Sequence, residues 1–284
     1  MSAEGIAVNT FSVLPLFAIA IPAVAAAVIA VIGDSNEKLR NLVAFLAAIA
    51  TFGVMLVMGI EVMGGNPLYF DLGIIQVGQL SLTLLVDSLG AFFALIASML
   101  WVAAMAHSSS YMYHEHKRTR FFAAMMVTEA AVLGTFMAHD FLSLFVFFEI
   151  MGLAAYFLVV HSETDKARSA ATKYLYMTII GGLSLLMGVL LYLNHSGTVD
   201  FMPPAESSFL TGPFPVIALV CMIAGFGVKA GIVPLHVWLP DAHPVAPSPA
   251  SALLSGVMIK AGAYGTVSYT HLRAHETVLD LVCR

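Results

Sequence analysis

Charge is scarce in this chain of 284 residues: Asp, Glu, Lys and Arg make up 10% of it, whereas hydrophobic residues make up 60%. Soluble domains carry far more charge, so the composition places the chain among integral membrane proteins. Cysteine is also rare. Cys221 lies in an apolar segment and Cys283 near the end of the chain, which predicts no disulfide framework. The net charge of −5 is spread along the chain and does not favour a nucleic-acid partner.

The N-terminal region lacks basic residues, because no Lys or Arg precedes Lys38. A cleaved signal peptide carries a basic region in front of its apolar core. We therefore expect the first apolar stretch to be retained as a membrane span in the lipid bilayer.

Long apolar stretches recur along the chain, and a spanning helix needs about 20 mostly apolar residues. Eight stretches approach this length, which predicts an all-α polytopic membrane protein of about eight transmembrane helices. Spans four and five are joined only by Ala138–Asp140, which predicts a tight hairpin. The spans are Phe11–Ile32, Asn41–Met63, Leu80–His107, Phe121–Met137, Phe141–Val160, Ala171–Leu193, Pro213–Val233 and Ala250–Gly265.

Basic residues follow the first, third and fifth spans, and none occurs in the N-terminus or in the loops after spans two, four and six. By the positive-inside rule, this alternation predicts that the N-terminus lies outside. The basic residues concerned are Lys38, Arg40, Lys117, Arg118, Arg120, Lys166, Arg168 and Lys173.

Lys229 lies inside the seventh apolar stretch, in the sequence GFGVKAGIVPLHVWLPDAH. A cation at the centre of a membrane helix costs about 2.5–3.5 kcal/mol on insertion scales. Gly231 and Pro234 follow at once and predict a break in helix seven. Broken helix backbone is tolerated at that depth only where protein or a water-filled cavity covers it. A buried charge beside a helix break is typical of an ion path.

Two carboxylates accompany this lysine. Glu149 lies in the middle of span five and Glu129 in span four, about equally far from the hairpin turn. At about 1.5 Å per residue both should lie roughly 15 Å from that turn, near the bilayer midplane. Carboxylates at one depth repel each other, and an ammonium such as that of Lys229 would stabilise them.

Further titratable residues extend the candidate proton relay. Lys260 lies in span eight among small residues, and Lys173 lies near the start of span six. His236 follows Pro234 and could pass protons between Lys229 and the cytoplasmic loop. His243, in that loop, is a weaker candidate.

Each candidate also has a structural alternative. Glu149 and Lys229 could be an ion pair that fixes helix register, and Glu129 a locally satisfied acid. Lys173 could be an interfacial anchor whose ammonium reaches the cytoplasm. Asp140 starts span five, where capping is the natural task of an aspartate. The sequence His114–His116 has two histidines but no clear further ligand, so no metal site is predicted.

Three segments carry a family resemblance: FFEIMGLAAYFLV around Glu149, GFGVKAGIVPLHVWLPDAHPVAPSPASALLSG, and VMIKAGAYG around Lys260. They resemble the antiporter-like proton-translocating subunits. This superfamily includes membrane-arm subunits of respiratory complex I, Mrp-type sodium/proton antiporter subunits, and membrane subunits of formate-hydrogenlyase-type hydrogenases. The resemblance covers roughly residues 80–265 and is strongest over 225–265.

The resemblance implies a fold of about fourteen helices built from two inverted repeats, each with one broken helix. Residues 1–120 would form helices one to three, and residues 121–265 would form the first antiporter-like repeat, helices four to eight. Residues 266–284 are charged and look foreign, so we expect a truncated chain with an atypical tail.

The resemblance also assigns site residues. The helix-five glutamate of the family matches Glu149, the lysine of broken helix seven matches Lys229, and the helix-eight lysine matches Lys260. The helix-six lysine, where family members have it, matches Lys173. Glu129 has no firm counterpart.

The implied function is proton translocation in a redox-driven complex of a bacterial or archaeal cytoplasmic membrane, with other membrane-arm subunits as partners. No flavin, haem or cluster ligand set is visible, so no cofactor is predicted and redox chemistry would lie in those partners. Two alternatives stay open: an Mrp-type antiporter subunit that moves sodium ions as well as protons, and a membrane scaffold without transport. Whether the chain has an enzymatic activity of its own also stays open.

Overall fold

The computed structural model describes residues 10–71, 82–201 and 213–266. Three short strands are β1 (Thr10–Phe11), β2 (Leu68–Asp71) and β3 (Thr83–Val86). The last helix, α9 (Ser248–Leu253), is followed without a break by a π-helical turn, Leu254–Met258, and by further helix over residues 259–266. The predicted tail lies outside the described residues except for Thr266. The helices are α1 (Leu14–Ile32), α2 (Glu37–Met63), α3 (Ser88–Tyr111), α4 (Arg118–Phe136), α5 (Phe141–Val159), α6 (Asp165–Ser196), α7 (Pro213–Ala230), α8 (Leu239–Val245) and α9 (Ser248–Leu253).

Five helices in the described part of the chain are long and apolar enough to cross a membrane: α1, α2, α3, α5 and α6. Together with the composition, they establish an integral membrane protein. The helix α7 is apolar but shorter, and α4 has 19 residues but includes Arg118, Arg120 and Glu129. The predicted total of eight spans stays a prediction.

The helix α4 lies inside the bundle, packed against α1 and α5. Nearly every residue from Phe121 to its C-terminal end is buried. Because protein rather than lipid surrounds this helix, it needs less hydropathy than its neighbours to be stable at this position. Because α4 is surrounded by protein, the carboxylate of Glu129 on this helix has no contact with solvent.

The basic loops meet at one end of the bundle, which we call the basic end. Asp34, in the loop after α1, accepts from Arg40 of α2 at 2.8 Å and from the hydroxyl of Thr119, at the start of α4, at 2.7 Å. Lys117, before α4, and Arg120 both donate to Glu163, in the loop after α5, at 2.5 and 2.6 Å. The loops after α1, α3 and α5 therefore share one end, as the alternation of charge requires. That this end faces the cytoplasm stays a prediction.

A small sheet lies at the opposite end, with β2 parallel to β1 and antiparallel to β3. The expectation of an all-α chain omitted it, and span three was predicted to begin at Leu80. The structure begins α3 eight residues later, because the Asp87 side chain accepts from the Gly90 amide at 2.6 Å and caps the helix. The strand β3 is as apolar as a helix end, so hydropathy alone does not separate the two.

The hairpin between α4 and α5 is confirmed, as is the capping role of Asp140. Its Oδ1 accepts from the Ser143 amide at 2.7 Å, at the start of α5. Its Oδ2 accepts from the Thr83 hydroxyl at 2.5 Å. Asp140 therefore fixes the turn to the sheet and sets the register of α5.

The helices α6 and α7 approach closely through glycines. A Cβ atom at Gly225 would lie 2.6 Å from Cβ of Leu185, and one at Gly188 would lie 2.7 Å from Cγ of Met222. Small residues at such contacts let two membrane helices pack backbone to backbone. This packing holds the C-terminal turn of α7, which contains Lys229, directly against α6.

Candidate functional site

The helix α7 ends in a Schellman motif just after Lys229. Gly231 has a left-handed φ of 71°, its amide donates to the Val228 carbonyl at 3.4 Å, and the Ile232 amide donates to the Gly227 carbonyl at 2.9 Å. Residues 231–238 then continue as turns before α8. The helix therefore ends at the glycine that the sequence marked.

This helix end lies within the depth of the bundle. Lys229 faces Tyr174, which at 1.5 Å per residue lies about 14 Å along α6 from its first residue, Asp165. The turns after α7 and the short helix α8 occupy the remaining distance, and α8 packs on α6 and α5. In this segment Trp238 is buried, whereas Ile232, Val233 and Pro234 are exposed on the surface of the chain.

Lys229 is 3% exposed. Its Nζ donates to Tyr174 Oη at 2.7 Å, and Tyr174 Oη donates in turn to the Gly152 carbonyl of α5 at 3.0 Å. The ammonium also lies 4.9 Å from the centroid of the Tyr174 ring and 5.9 Å from that of Phe148. Among the described residues, no carboxylate oxygen lies within the 4.0 Å of an ion pair with Lys229.

The carboxylate of Glu149 packs against α6 at Gly182, where a Cβ atom would lie 2.6 Å from Oε2. Its Oε1 is buried and has no hydrogen-bond partner in the part of the chain that the structure describes. Glu149 and Gly152 are three residues apart and share a face of α5. A Cβ atom at Gly152 would lie 3.1 Å from Lys229 Nζ. The carboxylate and the ammonium therefore face the same α5–α6–α7 interface, about one helical turn apart.

One face of α6 lines this site with residues at four-residue spacing: Tyr174, Thr178 and Gly182. Thr178 Cγ2 lies 2.6 Å from the position of a Cβ atom at Gly152. Sequence reasoning missed Tyr174 and Thr178. Their spacing relative to the paired glycines of α6 was the available signal, because residues four apart lie on one helix face.

Glu129 lies on α4, outside this interface. It is fully buried, and neither carboxylate oxygen has a hydrogen-bond partner among the described residues. Among the described residues, no hydrogen bond therefore supports the alternative of a locally satisfied acid. Its burial without a partner is costly, by about 1–3 kcal/mol for an unpaired polar group.

Lys173 and His236 lie on the side of the site that leads to the basic end. Lys173 is about half-exposed and forms an ion pair with Asp241 of α8. It therefore joins α6 to α8, and the alternative of an interfacial anchor stays open. His236 is half-buried in the turns after α7, and its Nδ1 has no partner within the described residues.

Lys260 lies apart from Lys229. Its side chain is exposed, and its Nζ donates to the Ser255 carbonyl of the π-helical turn at 2.5 Å. Gly262, two residues on, packs against α7, where a Cβ atom would lie 2.6 Å from the Ala230 amide nitrogen. Residues two apart point to nearly opposite sides of a helix. Lys260 therefore faces away from α7, and the structure does not bring the two lysines together.

The polar groups at the α5–α6–α7 interface are a carboxylate, an ammonium, a phenol and a threonine hydroxyl. Over the described ranges 10–71, 82–201 and 213–266, no three His, Cys, Asp or Glu side chains form a group that could hold a metal ion. What the arrangement can do chemically is to exchange protons between an amine and a carboxylate that are shielded from bulk solvent.

Comparison with known proteins agrees with this architecture. Residues 138–280 match the family described as NADH:quinone oxidoreductase/Mrp antiporter, TM. Residues 75–122 match the family described as NADH-Ubiquinone oxidoreductase (complex I), chain 5 N-terminus.

Similar proteins cover most of this chain. Hydrogenase-4 component B of Escherichia coli strain K12 is 36% identical over 202 residues, covering 70% of this chain and 30% of the relative. NADH-quinone oxidoreductase subunit M of Rhodobacter capsulatus is 30% identical over 269 residues, covering 88% and 52%. The chain thus spans about half or less of these relatives.

A solved structure shows the same fold. A chain of the membrane-bound sulfane sulfur reductase, an archaeal respiratory membrane complex, superposes with a TM-score of 0.82 at 24% identity. The match covers 92% of this chain and 54% of that one. This chain belongs to the NADH:quinone oxidoreductase/Mrp antiporter family of transmembrane proteins.

Proposed function

We propose that the chain is part of a proton-translocating membrane subunit of a redox-driven complex, of the NADH:quinone oxidoreductase or membrane-bound hydrogenase type. The observation that carries this proposal is the burial of Lys229 at the end of α7, beside Glu149 and without an ion pair among the described residues. Ionisable groups at membrane depth are costly, and they usually mark ion pathways.

The mechanism depends on a lysine that can change partners. Bound to the Tyr174 hydroxyl, the ammonium has only a neutral acceptor; about one turn along α5 it would meet the Glu149 carboxylate. The side chain of lysine is flexible enough for such a movement. Charges interact strongly in a low-dielectric interior, so the ammonium is attracted to the carboxylate once it leaves the phenol. At that contact Lys229 passes its proton to the Glu149 carboxylate, which leaves a neutral amine and a carboxylic acid, the pair that desolvation favours.

The other candidates extend the relay at both sides. His236 lies between Lys229 and the basic end, where it can receive protons from the cytoplasm. Lys173 with Asp241 keeps α8 in place beside this route. Lys260 faces outward and would exchange protons with groups beyond the described bundle rather than directly with Lys229. Glu129 would be a further carrier, reached through α4 and α5.

The implied partners are other membrane-arm subunits and the lipid bilayer, with the N-terminus outside and the basic end in the cytoplasm. The membrane would be the cytoplasmic membrane of a bacterium or archaeon. Redox cofactors would belong to the partner subunits. An Mrp-type antiporter subunit, which would exchange sodium ions for protons, is a second candidate because the matched family description includes the Mrp antiporter.

The proposal is tested in the assembled complex, reconstituted in vesicles with a pH-sensitive dye. Lys229→Met and Glu149→Gln should each reduce proton uptake by at least about tenfold, because each removes one protonatable group from the relay. Two exposed charges provide matched controls: Lys38→Met and Glu61→Gln should transport at close to the wild-type rate.

Three outcomes separate the candidate functions. Loss of proton movement driven by an electron donor supports the redox-driven subunit. Sodium-dependent proton exchange without any electron donor, lost in the same variants, supports the antiporter subunit instead. Wild-type proton movement in both Lys229→Met and Glu149→Gln rejects the relay and leaves a scaffold.

A further inference from the structure

Among the described residues, Lys229 donates its side-chain hydrogen bond to Tyr174. The hydroxyl accepts from Nζ at 2.7 Å and donates its own proton to the Gly152 carbonyl at 3.0 Å. Because that proton is already engaged with the backbone, the phenol serves the lysine as an acceptor only. A lysine ammonium carries three donors and no acceptor, so this contact matches the charged form of Lys229.

The position of the phenol is fixed from two further sides. Its ring packs edge-on against Trp238, with centroids 5.0 Å apart. The Trp238 indole donates to the Val228 carbonyl at 2.7 Å, so it is held by the residue next to Lys229. Tyr174 is 1% exposed. The hydroxyl therefore cannot follow the ammonium if Lys229 moves, and the bond between them must break.

The contact also determines where Lys229 lies relative to Glu149. Gly152, whose carbonyl holds the hydroxyl, is three residues beyond Glu149 on α5, a rise of about 4.5 Å. A methyl group at Gly152 would overlap Thr178 and crowd Nζ, so the absence of a side chain there leaves space for the ammonium. The Tyr174 hydroxyl thus keeps the lysine about one turn away from the carboxylate.

We propose that Tyr174 is a positioning residue that holds protonated Lys229 apart from Glu149, so that each proton transfer requires the ammonium to exchange a phenol for a carboxylate. This inference rests on the proposed relay function and adds the group that sets its resting state. It concerns the phenol oxygen as a hydrogen-bond acceptor, not as a proton carrier.

The test is Tyr174→Phe in the assembled complex, which removes the hydroxyl and keeps the ring against Trp238. Without the hydroxyl, the ammonium stays paired with Glu149 and the relay lacks its separated resting state. Because a charged hydrogen bond contributes about 1.5–3 kcal/mol, we expect proton movement to fall about tenfold. Tyr176→Phe is the matched control, because Tyr176 lies on the same helix and is exposed. It should transport at the wild-type rate.

The pH profile distinguishes positioning from a loss of packing. Without the phenol, the ammonium has no acceptor that holds it apart from Glu149, so it pairs with the carboxylate, which stabilises its charged form. The alkaline limb of the rate profile should therefore move to higher pH, by about one pH unit. A packing defect would lower the rate equally at every pH. The elements packed around Lys229 carry titratable groups that are all unchanged in this variant. They include Glu149 of α5, Lys173 of α6, His236 after α7, Asp241 and His243 of α8, and Lys260 of the last helix.

The outcomes are distinguishable from failure of the relay itself. A wild-type rate and profile in Tyr174→Phe, alongside inactive Lys229→Met, overturns the positioning role and leaves the relay intact. If Tyr174→Phe does not assemble, the positioning role is tested with Trp238→Phe. This variant removes the indole hydrogen bond to Val228 and weakens the ring contact that fixes Tyr174, but it keeps the Tyr174 hydroxyl. We expect a smaller shift of the alkaline side in the same direction, and an unchanged profile there overturns the inference.

Discussion

The charged groups at the basic end of the molecule are arranged differently from those in its interior. At the basic end, Lys117 and Arg120 both donate to Glu163, at 2.5 and 2.6 Å. These hydrogen bonds, first that from Lys117, lower the pKa of the Glu163 carboxyl to about 2. Each of these three charges has an opposite charge in contact, and all three side chains reach solvent.

In the interior, Lys229, Glu149 and Glu129 have no ion pair within the described part of the chain. Desolvation makes such groups expensive. A fold that needed only stability would pair them or replace them with apolar residues, whereas a relay needs each group to change its protonation at low cost. The contrast supports the proposed relay, in which the paired charges at the end hold the loops and the unpaired groups in the interior move protons.

Among the variants that test this contrast, Gly182→Ala is expected to have the largest effect on proton movement. The new methyl group would overlap the Glu149 carboxylate, which must then turn away from α6. Because the carboxylate is the end of a flexible side chain, we expect little loss of stability. Proton movement should fall at least about tenfold, since the acceptor leaves the interface. The measurement is dye-monitored proton uptake together with the melting temperature of the complex.

Gly53→Ala is the matched control, because no atom lies within 4 Å of the position of a Cβ atom at Gly53 in α2. Replacement of glycine by alanine inside a helix should stabilise it by about 0.5–1 kcal/mol and leave transport unchanged. Normal proton uptake in Gly182→Ala would show that the position of the carboxylate does not matter.

Much of the interior could be predicted from the sequence, because membrane burial makes single polar residues conspicuous. Lys229 and Glu149 were found from their apolar surroundings, and the end of α7 from Gly231. The partner of Lys229 could not be found in this way. Tyr174 is ordinary in an apolar helix, and its role depends on how closely α6 and α7 pack, a tertiary property.

The outward orientation of Lys260 was also beyond the sequence. Hydropathy showed that Lys260 lies in an apolar stretch, but not which side of that helix faces α7. Gly262 decides this, since it gives the close contact with α7. The small sheet was missed for a similar reason: the pairing of β3 with β2 joins residues that are distant in sequence, and the strand residues are as apolar as a helix.

A second test replaces Glu129 with an apolar residue. Glu129→Leu removes a buried carboxyl that has no hydrogen-bond partner among the described residues. We expect the complex to become more stable by about 1–3 kcal/mol and its melting temperature to rise, while proton movement falls several-fold. Glu61→Leu, at an exposed position of α2, should change neither quantity appreciably. A lower melting temperature in Glu129→Leu would mean that the carboxyl is satisfied after all.

The smallest effect is expected from His161, at the basic end, and it concerns only the dependence of stability on pH. His161 is fully buried in the loop after α5, and neither ring nitrogen has a partner within the described residues. Burial, followed by the nearby positive charge of Arg120, lowers the pKa of His161 from 6.5 to about 4. Between these values the unfolded chain binds more protons than the folded one, so stability must fall as the pH drops from 6.5 towards 4.

His161→Phe should therefore flatten the dependence of melting temperature on pH in this window and leave proton movement at neutral pH unchanged. His114→Phe, on the neighbouring exposed loop, should keep the wild-type slope. Glu163 acts in a separate window: its pKa is lowered from 4.5 to about 2, so its contribution is present above 4.5 and is lost as the pH falls towards 2. An unaltered slope in His161→Phe would locate the acid sensitivity elsewhere. A loss of proton movement in this variant would show that the basic end takes part in transport, and the distinction between paired and unpaired charges would no longer separate structure from function.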